Sequence, residues 1–247
     1  VDILVYLNRL IISLCYEFLF KTQCKNRYNL IDYMAIYKTI TIGQNSKLLL
    51  WKIEESLEQL YNGLELTPES VERLNNMKSL VHKKGYLAVR QLLKEFGYTD
   101  SDLNYKSSGR PLLINGKHIT ISHSHNFAAV LVGDKAFGVD IEKQREKIIR
   151  IANKFTPISE YRTLANDDAI IRKLTLVWAA KESVYKSFST HGVSFLNHID
   201  VHDFDLDSPR TQATLEFKGK VQEYEVFFLE FEDFACSYVY PKLPASS

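Results

Sequence analysis

The chain has three cysteines, Cys15, Cys24 and Cys236, with no Cys-x-x-Cys pair and no paired histidines. Neither a disulfide framework nor a zinc site is indicated, and a reducing, cytoplasmic setting fits. A marked basic excess is also missing. The formal net charge is +1, which argues against a general nucleic-acid binder. Long apolar runs are absent: Ile3 to Phe20 is mostly apolar, but Asn8, Arg9 and Glu17 interrupt it, whereas a membrane span needs about 20 unbroken apolar residues. No small-residue cleavage site follows, which argues against a signal peptide. No internal repeat is visible. What is present is ordinary for a soluble globular protein, 45% hydrophobic and 25% charged residues over 247 positions, enough for one large domain or two modest ones.

Alternation from Met34 to Ile53 predicts strands around the Gly43-Gln44-Asn45 turn, then a short helix over Glu54 to Tyr61. Thr67-Pro68-Glu69-Ser70 reads as an N-cap with proline at the first helical position. A long amphipathic helix or helix pair then runs to Phe96, with Leu80, Tyr86, Leu87, Leu92 and Leu93 facing a core. His82-Lys83-Lys84 begins a basic cluster on it, which by itself reads as a solvated face. Lys106 to Pro111 is a turn; His118–Ser122 and Phe127–Val132 are strands. Lys143 to Ala152 reads as a charged helix, either a solvated face or part of a docking surface for an acidic partner. A helix from Asp168 to Ser189 precedes a hairpin around Lys218-Gly219-Lys220 and a last strand, Ala235 to Tyr240.

The chemistry concentrates between Gly138 and Lys186. In Gly138-Val139-Asp140-Ile141-Glu142 a strand would turn Asp140 and Glu142 to one face. Two such carboxylates repel unless a cation lies between them, and oxygen ligands suit a hard cation such as Mg²⁺. Trp178, Lys181, Glu182, Tyr185 and Lys186 fall along one side of a helix. A third carboxylate flanked by lysines suits a metal that binds phosphate. Trp178 reads as core packing.

Gly-Val-Asp-Ile-Glu followed some forty residues on by Trp-x-x-Lys-Glu-Ser-x-x-Lys resembles the signature pair of the 4′-phosphopantetheinyl transferases. Ser108-Gly109-Arg110-Pro111 and Ile121-Ser122-His123-Ser124 match that family in order and spacing, and the resemblance runs from about Met34 to Asp205. The family region begins at Met34, so residues 1–33 are either an N-terminal extension, such as a helix docked on the body, or a segment ahead of the natural start. The resemblance implies an α+β fold of two similar α/β halves about a pseudo-twofold axis, 34–135 and 136–243, acting as a monomer like the surfactin-synthetase-activating type. It implies transfer of 4′-phosphopantetheine from coenzyme A to a serine of an apo acyl or peptidyl carrier protein, with no role for nucleic acid or membrane.

The residue assignments follow from the same match. Asp140, Glu142 and Glu182 would hold Mg²⁺, with Mn²⁺ able to substitute. Arg90, with Lys83 and Lys84 beside it, would take the 3′-phosphate of coenzyme A. Gly109, Arg110 and Pro111 would wrap its adenine side, with Arg110 where the family has lysine. Ser122, His123, Lys181 and Lys186 would meet its phosphates. Glu182, directly or through a metal-bound water, is the candidate base, and Glu160 the second. The rival readings are a Mg²⁺-dependent phosphohydrolase of nucleotide-like substrates, which leaves Ser-Gly-Arg-Pro unexplained, and a non-catalytic carrier-binding module, which leaves the three carboxylates unexplained.

Overall fold

Strands β1 (Ile36–Ile42) and β2 (Ser46–Lys52) form an antiparallel hairpin, in which Leu48 to Trp51 of β2 are all buried rather than alternating. Gly43 turns it with φ +63°, a backbone region that costs glycine little. The computed structural model describes residues 36–158, 164 and 166–243; the segment 1–33, Met34 and Glu160 lie outside the described residues. Three helices follow, α1 (Leu57–Tyr61), α2 (Pro68–Asn76) and α3 (Leu80–Glu95). Thr67 caps α2 by accepting the Ser70 N–H, with Pro68 at the first helical position. The predicted long helix is therefore a pair, broken at Met77 to Ser79. Tyr86, Leu87, Leu92 and Leu93 are buried as expected, but Leu80 is 57% exposed because it begins α3, ahead of the turns that reach the sheet.

Strands β3 (Leu103–Tyr105) and β4 (Pro111–Leu113) form a short ladder that carries the Lys106–Arg110 loop. Lys106 N–H donates to the Arg110 carbonyl at 2.9 Å, and Gly109 takes φ +81°. Strands β5 (His118–Ser124) and β6 (Phe127–Gly133) complete a four-stranded antiparallel sheet in the order β1-β2-β6-β5, with β6 buried throughout. Helix α3 packs across β6, β5 and β2.

The second sheet begins at β7 (Gly138–Lys143). After it come α4 (Lys147–Ile151), the 22-residue α5 (Asp167–Phe188) and α6 (Phe195–His198). Strands β8 (Ile199–Val201), β9 (Arg210–Phe217), β10 (Lys220–Phe231) and β11 (Phe234–Pro241) complete the order β7-β11-β10-β9-β8. Helix α5 lies on β7 and β11. Its apolar face, including Leu174, Val177, Ala180 and Val184, meets Tyr224, Val226 and Val239. The charged segment after β7 makes only the five-residue α4, because Lys143 still belongs to the strand.

The two sheets abut along β5 and β7 without sharing a backbone ladder. Side-chain hydroxyls do the joining. Val139 N–H donates to Thr120 Oγ1 at 3.2 Å and Ile141 N–H to Ser122 Oγ at 3.3 Å. On the apolar face Leu48, Phe127 and Leu131 share one core with Val139, Ile141 and Phe234. The fold is thus α+β, with a seam between sheets where β5 meets β7. Among the described residues no helix is long and apolar enough to cross a membrane.

Candidate active site

Strand alternation sends Val139 and Ile141 into the core and leaves Asp140 and Glu142 on the face toward α5. Gly138 sets how near that helix comes. A Cβ there would lie 1.7 Å from the Ser183 carbonyl oxygen, so any larger residue would push strand and helix apart. One turn beyond Ser183, Lys186 Nζ donates to Asp140 Oδ1 at 2.7 Å and to the Val139 carbonyl at 3.0 Å. Ser122 Oγ donates to the same Asp140 oxygen at 2.8 Å, and Ser124 Oγ to Glu142 at 3.2 Å. The seam thus supplies hydroxyl donors to both strand carboxylates.

Glu182, one turn before Lys186, is half-buried. Burial first, then the nearby Asp140 and Glu142, push its carboxyl up to about 7, with Lys186 opposing. Glu142 is also raised, by burial and Asp140, while Ser124 and the Trp178 indole partly restore its charged form. Trp178 packs on Phe155 and Phe195, so it is both core and neighbour of the acidic group. Among the described residues no three ligating side chains converge into a preformed metal cage. The donor set nonetheless fits a hard cation: Asp140 is 4% exposed, and its Oδ2 has no hydrogen-bond partner.

A cleft of about 210 Å³ opens beside this cluster. Ser108, Gly109, Arg110 and Pro111 form one wall; Tyr185, Lys186, Ser189 and His191 form the other; Ile119 to Ile121 close it between them. Helix α5 ends here because Ser189 adopts φ +53° and caps the helix. His123 leans over α3: a Cβ at Gly85 would stand 2.8 Å from its Nδ1, and the His82 ring centre lies 6.2 Å from its own. Desolvation, then His82 and Lys186, hold the His123 imidazole below its ordinary pKa.

Residues 136–239 match the 4′-phosphopantetheinyl transferase superfamily, which this segment covers from just before β7 into β11. The 4′-phosphopantetheinyl transferase gsp of Aneurinibacillus migulanus is 25% identical over 159 residues, which cover 62% of this chain and 65% of that protein. The match therefore spans just under two thirds of the relative's length.

Two of the cations that the phosphopantetheinyl transferase resemblance assigns to coenzyme A have partners within the protein. Arg90 is 4% exposed and enclosed: Nε donates to Asp100 at 3.0 Å and Nη2 to the Tyr86 hydroxyl at 2.7 Å. Thr67 N–H donates to the other Asp100 oxygen at 2.8 Å. Arg90 ties α3 to the start of α2. Lys181 is 2% exposed, and its Nζ donates to the Phe155 and Phe195 carbonyls at 2.6 and 3.0 Å. It holds the chain on either side of α5 and is withdrawn from the cleft. A cation in a motif looks the same in sequence whether it meets a ligand or a buried partner. Lys83 and Lys84 are half-buried beside Gly85 on α3. The contacts of Gly85, beneath His123, and of Ser124, which donates to Glu142, are not visible in the sequence. A glycine in mid-helix costs about 1 kcal/mol against alanine, which is the signal that Gly85 has a packing reason.

Proposed function

We propose that this protein transfers 4′-phosphopantetheine from coenzyme A to a serine of an apo acyl or peptidyl carrier protein. The observation that carries this reading is the single cleft in which the Gly109-Arg110-Pro111 turn and Lys186 face each other, opening beside Asp140, Glu142 and Glu182. A nucleotide with a diphosphate bears its charge along its length, and a cation at each wall suits that shape. The superfamily match and the gsp similarity support the same chemistry.

The serine oxygen attacks the phosphorus bearing the pantetheine arm, the bond to the bridging oxygen breaks, and adenosine 3′,5′-bisphosphate leaves. Asp140, Glu142 and Glu182 would hold Mg²⁺, which in such a site neutralises diphosphate charge. Lys186 offsets further negative charge and, through its bond to Asp140, fixes that carboxylate's orientation. Ser122 does the same from the opposite strand. Glu182 is our proton acceptor for the serine hydroxyl, as the α5 carboxylate that stands beside Asp140, Glu142 and Lys186. Glu160 is the second candidate. Arg110, Gly109 and Pro111 would hold the nucleotide end, with His123 and Lys83 beside the phosphates.

The carrier would dock where Lys143, Arg145 and Lys147 rim a second pocket floored by Ile148, Ile151 and Trp178, with Glu142 at its inner end. Basic rim and apolar floor suit an acidic, amphipathic helix. One chain supplies both walls of the cleft, so we propose that it acts as a monomer. The test is chromatography of coenzyme A incubated with the protein and Mg²⁺, with and without an apo carrier. Adenosine 3′,5′-bisphosphate should form only when the carrier is present. Its formation without carrier would indicate hydrolysis instead.

A further inference from the structure

Arg110 lines the cleft, and the fold holds it in a way that a lysine would not need. Its carbonyl is held by Lys106 N–H across the β3–β4 loop. Its side chain reaches back to the first residue of β5, where Nη2 lies 3.3 Å from His118 Nδ1. Both residues are half-buried at the edge of the cleft, and Ile119, next to His118, lines it.

The bond dictates a protonation state. A guanidinium has only donors, so His118 Nδ1 has to accept, and its proton has to sit on Nε2. An imidazolium would put an N–H where the acceptor is required. The groups acting on His118 are Arg110 and, across the β5–β6 ladder where His118 faces Gly133, Asp134 on the next residue. Burial and Arg110 together hold the imidazole below its ordinary pKa, with Asp134 opposing. The neutral form is therefore favoured at neutral pH.

We propose that His118 is a positioning residue for Arg110: it aims the guanidinium plane at the nucleotide end of the cleft and so sets affinity for coenzyme A. This rests on the transferase reading above. A lysine is a point charge and needs no fixed plane, whereas a guanidinium loses its directional advantage if it swings freely. His118 supplies the constraint that a planar cation calls for.

The experiment is steady-state transfer to an apo carrier with coenzyme A varied, for wild type, His118→Ala, His118→Asn, Arg110→Lys and the double variant Arg110→Lys/His118→Ala. Asparagine carries a carbonyl acceptor close to its backbone, as histidine carries Nδ1. We expect His118→Ala to raise KM for coenzyme A by about five-fold with kcat unchanged, in line with the loss of one hydrogen bond of ordinary net strength. His118→Asn should restore KM. Removing His118 should have no further effect when residue 110 is lysine. Because burial and Arg110 hold His118 below the ordinary imidazole value of about 6.5, the wild-type KM should rise only as pH falls beneath that value, while that of His118→Asn should rise less. An unchanged KM in His118→Ala, or an equal increase in the Arg110→Lys background, overturns the proposal; the second result is what a merely local destabilisation would give. If wild type transfers nothing to any carrier, the transferase reading fails, and this inference fails with it.

Discussion

Gly138 and Ser183 touch backbone to backbone: the space a Cβ would need at Gly138 is filled by the Ser183 carbonyl oxygen. This contact brings β7 and α5 close enough for Lys186 to reach Asp140 and Val139. Gly138→Ala should therefore cost stability and activity together. Neither backbone can yield as a side-chain tip can, so we expect a loss of about 3 kcal/mol or more in chemical denaturation. Transfer should fall further than that of an equally destabilised core variant elsewhere.

Gly85 should behave in the opposite way. Alanine in an α3 interior position favours the helix by about 1 kcal/mol, but its Cβ would displace the His123 ring. Gly85→Ala should keep or raise the melting temperature while raising KM for coenzyme A. A lower melting temperature with unchanged KM would show that His123 is not held for the cofactor.

Asp100 gives the pH dependence of the N-terminal sheet. Burial raises its pKa, but Thr67, Ser70 and Arg90 outweigh burial and hold it below the ordinary carboxylate value. The unfolded chain therefore takes up a proton at higher pH than the folded one. This stabilisation is fully present above the unfolded pKa of about 4 and is lost as pH falls through the folded value. Acid denaturation of Asp100→Asn should lack that part of the transition. The variant should be less stable at neutral pH by about 3 kcal/mol, because Arg90 is left buried without its partner.

The three carboxylates around Lys186 make a prediction for metal. Mutual repulsion and burial should make the ion-free protein gain stability from Mg²⁺ or Mn²⁺, seen as a rise in melting temperature with added ion. Glu182→Gln should raise the ion-free melting temperature by relieving repulsion and should abolish both the ion's effect and transfer. An equal thermal response in wild type and in Asp140→Asn would contradict metal binding at these residues.

Much of this was legible in the sequence because it rests on local periodicity. Period-two alternation placed Asp140 and Glu142 opposite Val139 and Ile141, and helical spacing put Glu182 and Lys186 on one side of α5. The turn glycines Gly43 and Gly109 sit where backbone chemistry demands them. What was not legible depends on distant partners. Arg90 and Lys181 read as ligand-facing cations, yet Asp100, ten residues on, and carbonyls 14 and 26 residues from Lys181 claim them. The joining of the sheets by Thr120 and Ser122 has no pattern of its own, since a hydroxyl in a strand serves many uses. The short strands β3, β4 and β8 were too brief to show a period.

The most direct measurement is intact-protein mass spectrometry of an apo carrier after incubation with this protein, coenzyme A and Mg²⁺. The account predicts a gain of about 340 Da, the phosphopantetheine group on serine, lost with chelator and with Glu182→Gln. Consumption of coenzyme A with no gain on any of several unrelated apo carriers would contradict it.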